Sequence, residues 1–164
     1  MNREQYVKVS SFVRKYKRGP QTVALVNKVL SLFVVLVFVA MMIYGAIYDR
    51  NWTIRAILVT SISFLLVTII RKVLNTDRPY VVYDFEQIVD KKKQGESMPS
   101  RHVFSAFIIS IVALNLYIPL GIIMIVISIM IGIGRLVSCV HFPKDIVVGM
   151  IIGIVAGVLG MYII

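Results

Sequence analysis

Thiols and imidazoles are scarce in this 164-residue chain: it has a single cysteine, Cys139, and only two histidines, His102 and His141. One cysteine excludes an intramolecular disulfide and a metal cluster built from thiolates, and two histidines supply a conventional zinc site poorly. Cys139 follows an apolar run and reads as a small filler. Acidic residues are few as well, 8 against 18 lysines and arginines, leaving a formal charge of +10. The chain also lacks the polar surface of a soluble domain. It is 59% hydrophobic, where about 45–50% is usual. Its apolar residues fall in long runs, which a bilayer accommodates when every backbone group bonds within a helix. The positive charge flanks the apolar runs, which suits anionic lipid and argues against a nucleic-acid partner. No small-residue cleavage site follows the run from Val29 to Tyr48, so no secretory signal is expected.

What is present reads as one all-α membrane unit over residues 1–164, with about five transmembrane helices and an N-terminal interfacial helix. Residues 1–20 mix Arg3, Lys8, Arg14, Lys15, Lys17 and Arg18 with Tyr6, Val9, Phe12 and Val13, the pattern of an amphipathic helix on an anionic membrane surface. Spans are expected from about Thr22 to Tyr48, Thr53 to Ile70, His102 to Ile118, Leu120 to Val137 and Ile146 to Ile164. Gly149, Gly153 and Gly157 recur at four-residue spacing, which makes a flat helical strip for close packing. With short links, neighbouring spans run antiparallel, so polar segments 71–101 and 138–145 belong on the same side.

Three polar clusters meet there. The first is Arg71 with Arg78-Pro79. The second is Pro99-Ser100-Arg101-His102. The third is Gly134-Arg135, then His141, then Asp145. Several guanidinium groups facing one another need an anion between them, and arginine grips phosphate bidentately without losing its charge. A span starting near Ser100 offers unpaired backbone N–H groups and a hydroxyl to the same anion. Both histidines fall in this cradle. Phosphate-ester cleavage without a metal can use two, one attacking phosphorus and one protonating the leaving oxygen. Asp145, four residues after His141, could accept from one imidazole nitrogen, fix the tautomer and leave the other nitrogen to attack.

Taken together these residues resemble the type 2 phosphatidic acid phosphatase superfamily, which includes the vanadium haloperoxidases. Its signature runs Lys-x6-Arg-Pro, Pro-Ser-x-His and Ser-Arg-x5-His-x3-Asp. Here the matching stretches are Arg71-x6-Arg78-Pro79, Pro99-Ser100-Arg101-His102 and Gly134-Arg135-x5-His141-x3-Asp145, three motifs in order across residues 71–145. The resemblance implies a phosphohistidine mechanism without metal or other cofactor. His141 would be the nucleophile, Asp145 its orienter and His102 the general acid. Arg71, Arg78, Ser100 and Arg135 would bind the phosphate, aided by the backbone N–H of Arg101. Arg71 stands where the family usually has lysine, Arg101 where glycine is common, and Gly134 where serine is usual. Lys72 is adjacent to Arg71 but about 100° around a helix, so Arg71 is preferred.

The resulting expectation is a small bacterial-type membrane phosphatase acting on a lipid phosphate. Phosphatidic acid, phosphatidylglycerophosphate and a polyprenyl diphosphate are the candidates. The basic N-terminus points to a site on the cytoplasmic face of a bacterial membrane. A vanadate-dependent haloperoxidase-like enzyme and a non-catalytic lipid-phosphate-binding protein are the alternatives. Asp77, Asp84, Glu86, Asp90 and Lys91 to Lys93 read as loop solvation.

Overall fold

Proline, aspartate and long apolar runs divide the chain into helices. The computed structural model describes residues 1–89 and 94–163, so the expected solvated run from Asp90 to Lys93 lies outside it. Helix α1 covers Arg3–Arg14 and starts with a capping box between Asn2 and Gln5. Helix α2, Gly19–Tyr48, has Pro20 in its first turn, where a missing N–H costs nothing. Asp49 alone separates it from α3, Arg50–Leu74, and the Asp49 side chain accepts from the Trp52 N–H at 3.0 Å. A single turn, α4, spans Pro79–Val82. Then follow α5, Arg101–Leu116, α6, Ile118–Val137, and α7, Pro143–Val158, which runs on into a π-helical turn at Leu159–Ile163.

Four of the five expected spans, namely α2, α3, α6 and α7 with its terminal turn, are long and apolar enough to cross a membrane. Helix α5 is shorter, at 16 residues, and 10 of them are buried. It is the central post of the bundle, packed by α6 and α7 and touched by α2 and α3. A helix shielded by neighbours presents little surface to lipid, so it need not match the full bilayer thickness. The outer helices do the reverse and expose large apolar side chains, among them Leu36, Ile43, Leu58, Leu65 and Ile129.

The glycine strip of α7 faces α5. A Cβ on Gly149 would stand 2.7 Å from the Ser100 carbonyl oxygen, one on Gly153 2.7 Å from that of Phe104, and one on Gly157 2.7 Å from the Ile111 Cβ. Small residues let the two backbones approach, which is the main source of helix association in lipid. Between α5 and α6 the hydroxyls of Ser110 and Ser128 pair at 2.9 Å. At the end of the bundle away from the polar segments, Trp52 Nε1 donates to Asn115 at 2.9 Å and Arg55 donates to the Met161 carbonyl at 3.3 Å.

Helix α1 forms where amphipathicity predicts. Its inner face meets protein: Tyr6 and Val13 join Ile88, Cys139, Tyr83, Phe85 and Phe142 in a second, smaller apolar cluster. Val7 and Phe12 remain exposed on its other faces, as does Tyr16 just beyond its end.

Candidate active site

The site is built from helix ends. Arg71 lies in the last turn of α3, Arg78 immediately precedes α4, and Ser100 is the N-cap residue of α5. Arg135 lies in the last turn of α6, and Asp145 in the first turn of α7. Hydrogen bonds tie these ends together. The Ser100 N–H donates to the Asp145 carbonyl at 2.9 Å. Arg78 Nη1 donates to the Val140 carbonyl at 3.3 Å and its Nε to that of Gly95 at 3.2 Å. The two polar segments therefore share one end of the bundle, as the antiparallel count predicts.

Three guanidinium groups are enclosed at that end: Arg71, Arg78 and Arg135 are 5%, 3% and 7% exposed. Arg71 points inward and donates to the carbonyls of Ser97, Pro99 and Glu96, while Lys72 is exposed. Arg71, the residue that the register argument prefers, is thus the one turned into the bundle. Arg135 Nη2 donates to the Ser31 hydroxyl at 3.2 Å. All three guanidinium groups carry the same charge and lie at the same end of the bundle. Burying like charges together is costly unless an anion compensates them. Three buried donors here, Arg71 Nε, Arg135 Nε and Ser100 Oγ, have no partner among the described residues. Ser100 occupies the N-cap position without its hydroxyl capping the helix, so the first turn of α5 keeps its amide dipoles unsatisfied by that side chain.

His141 is buried, with Nδ1 3.6 Å from Asp145 Oδ2. That separation is beyond a normal hydrogen bond. Ser97 explains it: its hydroxyl donates to Asp145 Oδ2 at 2.5 Å and lies 3.4 Å from His141 Nδ1. The carboxylate also accepts the Phe142 N–H at 3.0 Å. The expected Asp145–His141 pair is thus close but not directly hydrogen-bonded, with Ser97 wedged beside it. This arrangement favours a proton on Nδ1 and a lone pair on Nε2. Replacing Ser97 by alanine is expected to cut kcat by roughly 10- to 100-fold, the scale of losing one hydrogen bond to a charged group. Steady-state phosphate release would check it.

His102 and Arg101 are placed differently from the buried group. They open α5 and line a cavity of about 330 Å³ whose other walls include Val34, Phe64 and Ile131. Arg101 is exposed, with its guanidinium 5.5 Å from the centre of the Phe64 ring. Ser97 escaped the sequence reading, as did Ser31 and Asn27 on α2. Asn27 donates to Ser138 Oγ at 2.8 Å and to the Gly134 carbonyl at 3.2 Å. A Cβ at Gly134 would stand 2.3 Å from the Asn27 side-chain oxygen, so glycine where serine is usual is what admits Asn27. Nothing in local spacing signals these contacts from α2. Cys139 is fully buried, and burial pushes its thiol up to about 11, the behaviour of an inert filler.

Comparison with known proteins adds the family. The model of the PAP2 superfamily matches residues 52–164. Among solved structures, the chain is similar to one described as the first transmembrane PAP2 type phosphatidylglycerolphosphate phosphatase from Bacillus subtilis. The TM-score is 0.74 at 23% identity, over 96% of this chain and 81% of that one. It is also similar to LpxE from Aquifex aeolicus, with a TM-score of 0.65 at 24% identity, over 85% of this chain and 92% of that one. At these identities the likeness is one of fold. No curated protein matches the sequence.

Proposed function

The chain belongs to the PAP2 superfamily, and from that premise we propose that it is a membrane lipid phosphatase working through a phosphohistidine on His141. The observation that carries this reading is the enclosure of Arg71, Arg78 and Arg135 at the same end of the bundle as Ser100, His141 and Asp145. A phosphate monoester supplies the anion that this group of like charges demands. It also offers acceptors to Ser100 Oγ and to the two Nε–H groups, Arg71 Nε and Arg135 Nε.

In the first step His141 Nε2 attacks phosphorus, and the bond from phosphorus to the lipid oxygen breaks. His102 gives its proton to that oxygen, so the lipid leaves as an alcohol or, from a diphosphate, as a monophosphate. In the second step His102 takes a proton from water, the hydroxide attacks phosphorus, and the P–N bond breaks to release inorganic phosphate. The arginines, Ser100 and the first amides of α5, including that of Arg101, hold the equatorial oxygens in both steps. No metal is needed for either transfer. Asp145 and Ser97 keep the Nδ1 proton in place and stabilise the imidazolium character that develops.

The exposed guanidinium of Arg101 suits a second anionic group on the substrate, beyond the scissile phosphate. It therefore favours phosphatidylglycerophosphate or a polyprenyl diphosphate over phosphatidic acid. Helix α1 packs at the site end, so the basic N-terminus and the site share a face, which supports a cytoplasmic site by the positive-inside rule. Purified protein in detergent, assayed with chelator against these three lipids, tests the reading. Phosphate release that survives the chelator is expected. Replacing Arg101 by glycine should raise KM for the lipids that carry a second phosphate group by about 2- to 5-fold, the scale of an exposed ion pair, and leave phosphatidic acid unaffected. A requirement for metal would overturn the mechanism.

A further inference from the structure

Tyr6 lies outside every motif and outside residues 52–164, the stretch matched by the superfamily. Even so, its side chain is completely buried against the loop that carries His141. Its hydroxyl donates to the His141 carbonyl at 3.2 Å. Its ring lies against those of Phe142, Tyr83 and Phe85, with centroids 5.9, 5.9 and 5.6 Å away. The Cys139 thiol reaches back to the Tyr6 carbonyl at 3.9 Å. Helix α1 is fastened along its length as well. Arg3 donates to the Tyr83 carbonyl at 3.0 Å, Ser10 to that of Glu86 at 3.1 Å and Arg14 to that of Gln87 at 2.8 Å. Arg14 also pairs with the Glu86 carboxylate at 2.9 Å.

These contacts matter because of where His141 sits. It belongs to the link between α6 and α7, outside either helical ladder. That link turns through Cys139 at a φ of 58°, a left-handed conformation that a non-glycine residue holds only under constraint. A backbone carbonyl in such a link must find a partner or be paid for in stability. The direction of the His141 peptide sets the direction of its imidazole. Burial raises the Tyr6 hydroxyl above its ordinary range, so it stays protonated and keeps donating at every working pH.

We propose that Tyr6 is a positioning residue for His141, and that α1 is a strap that holds the nucleophile's loop in its working geometry. This rests on the reading of His141 as nucleophile. The test is Tyr6→Phe, which keeps the ring and removes only the donor, in the whole 164-residue chain purified with a tag free of histidine. Because the chain has only two histidines, isotope-labelled histidine gives imidazole signals for just His102 and His141. The expected result is a roughly 3- to 10-fold fall in kcat with KM within about twofold, the scale of one lost hydrogen bond. The His141 signals should move while those of His102 stay. A purely structural role would lower thermal stability without splitting kcat from KM and without singling out His141. Unchanged kcat with unmoved His141 signals would overturn the inference. Should wild type release no phosphate at all, the proposed function fails, and the histidine signals still decide the strap: moved signals support it and unmoved ones refute it.

Discussion

Substituting His141 by asparagine is expected to lower phosphate release by at least about 10³-fold while the protein folds and extracts normally. Asparagine retains a polar side chain near Ser97 and Asp145 and leaves the main-chain bond from Tyr6 intact. It cannot form the proposed phosphohistidine. The loss should therefore appear in kcat, with binding of inorganic phosphate preserved, because Arg71, Arg78, Arg135 and Ser100 are untouched. Parallel assays of turnover, phosphate binding and thermal midpoint check all three parts. A midpoint lowered as far as the activity would mean that His141 serves the fold.

The second large effect concerns a residue that carries no chemistry. Gly149→Ala should both destabilise the bundle and disable the site. The new Cβ would stand 2.7 Å from the Ser100 oxygen, 3.3 Å from its nitrogen and 3.4 Å from the Phe104 nitrogen. All three are backbone atoms, so no side chain can rotate away, and α7 must move off α5. Overpacking of this kind costs about 1–3 kcal/mol, which corresponds to a fall of roughly 3–10 °C in the thermal midpoint. Activity should fall by more than about tenfold, since the shift separates Ser100 from Asp145 and small misplacements are costly in catalysis. Gly132→Ala is the control. There the Cβ meets only side-chain methyls of Ile146 at 3.3 Å and Val103 at 4.0 Å, which can adjust, so a much smaller effect is expected.

The contrast between these glycines illustrates what was legible in the sequence. The strip at Gly149, Gly153 and Gly157 is visible from spacing, and so is its use in close packing. Its partner, α5, is not, since spacing does not say which neighbour a helix meets. The apolar runs and their prolines define the helices to within a few residues: the span expected from Thr22 begins at Gly19, and that expected from His102 begins at Arg101. The shorter, central α5 was harder to foresee, because a helix buried by its neighbours and one facing lipid are both apolar throughout.

The site divides in the same way. Arg71, Arg78, Ser100, Arg135, His141 and Asp145 stood out because they match the three superfamily motifs in order, and the structure gathers them at one end of the bundle. Ser97 could not, since a serine beside a motif resembles any loop serine until its hydroxyl is found against Asp145. Tyr6 and Asn27 reach the site from 135 and 107 residues away in sequence, touching His141 and Gly134. Contacts over such separations leave no local period. Amphipathicity marked α1 as a surface helix, yet it could not distinguish a face meant for lipid from one meant for the loop at His141.

The most direct test of the central claim is to look for the phosphoenzyme. Purified protein would be mixed, in the presence of chelator, with a lipid phosphate labelled in its phosphorus, quenched in alkali and digested. The account predicts label on the peptide containing His141, and none in the His141→Asn protein. Rapid lipid turnover with no labelled histidine, or label on any other residue, would contradict it.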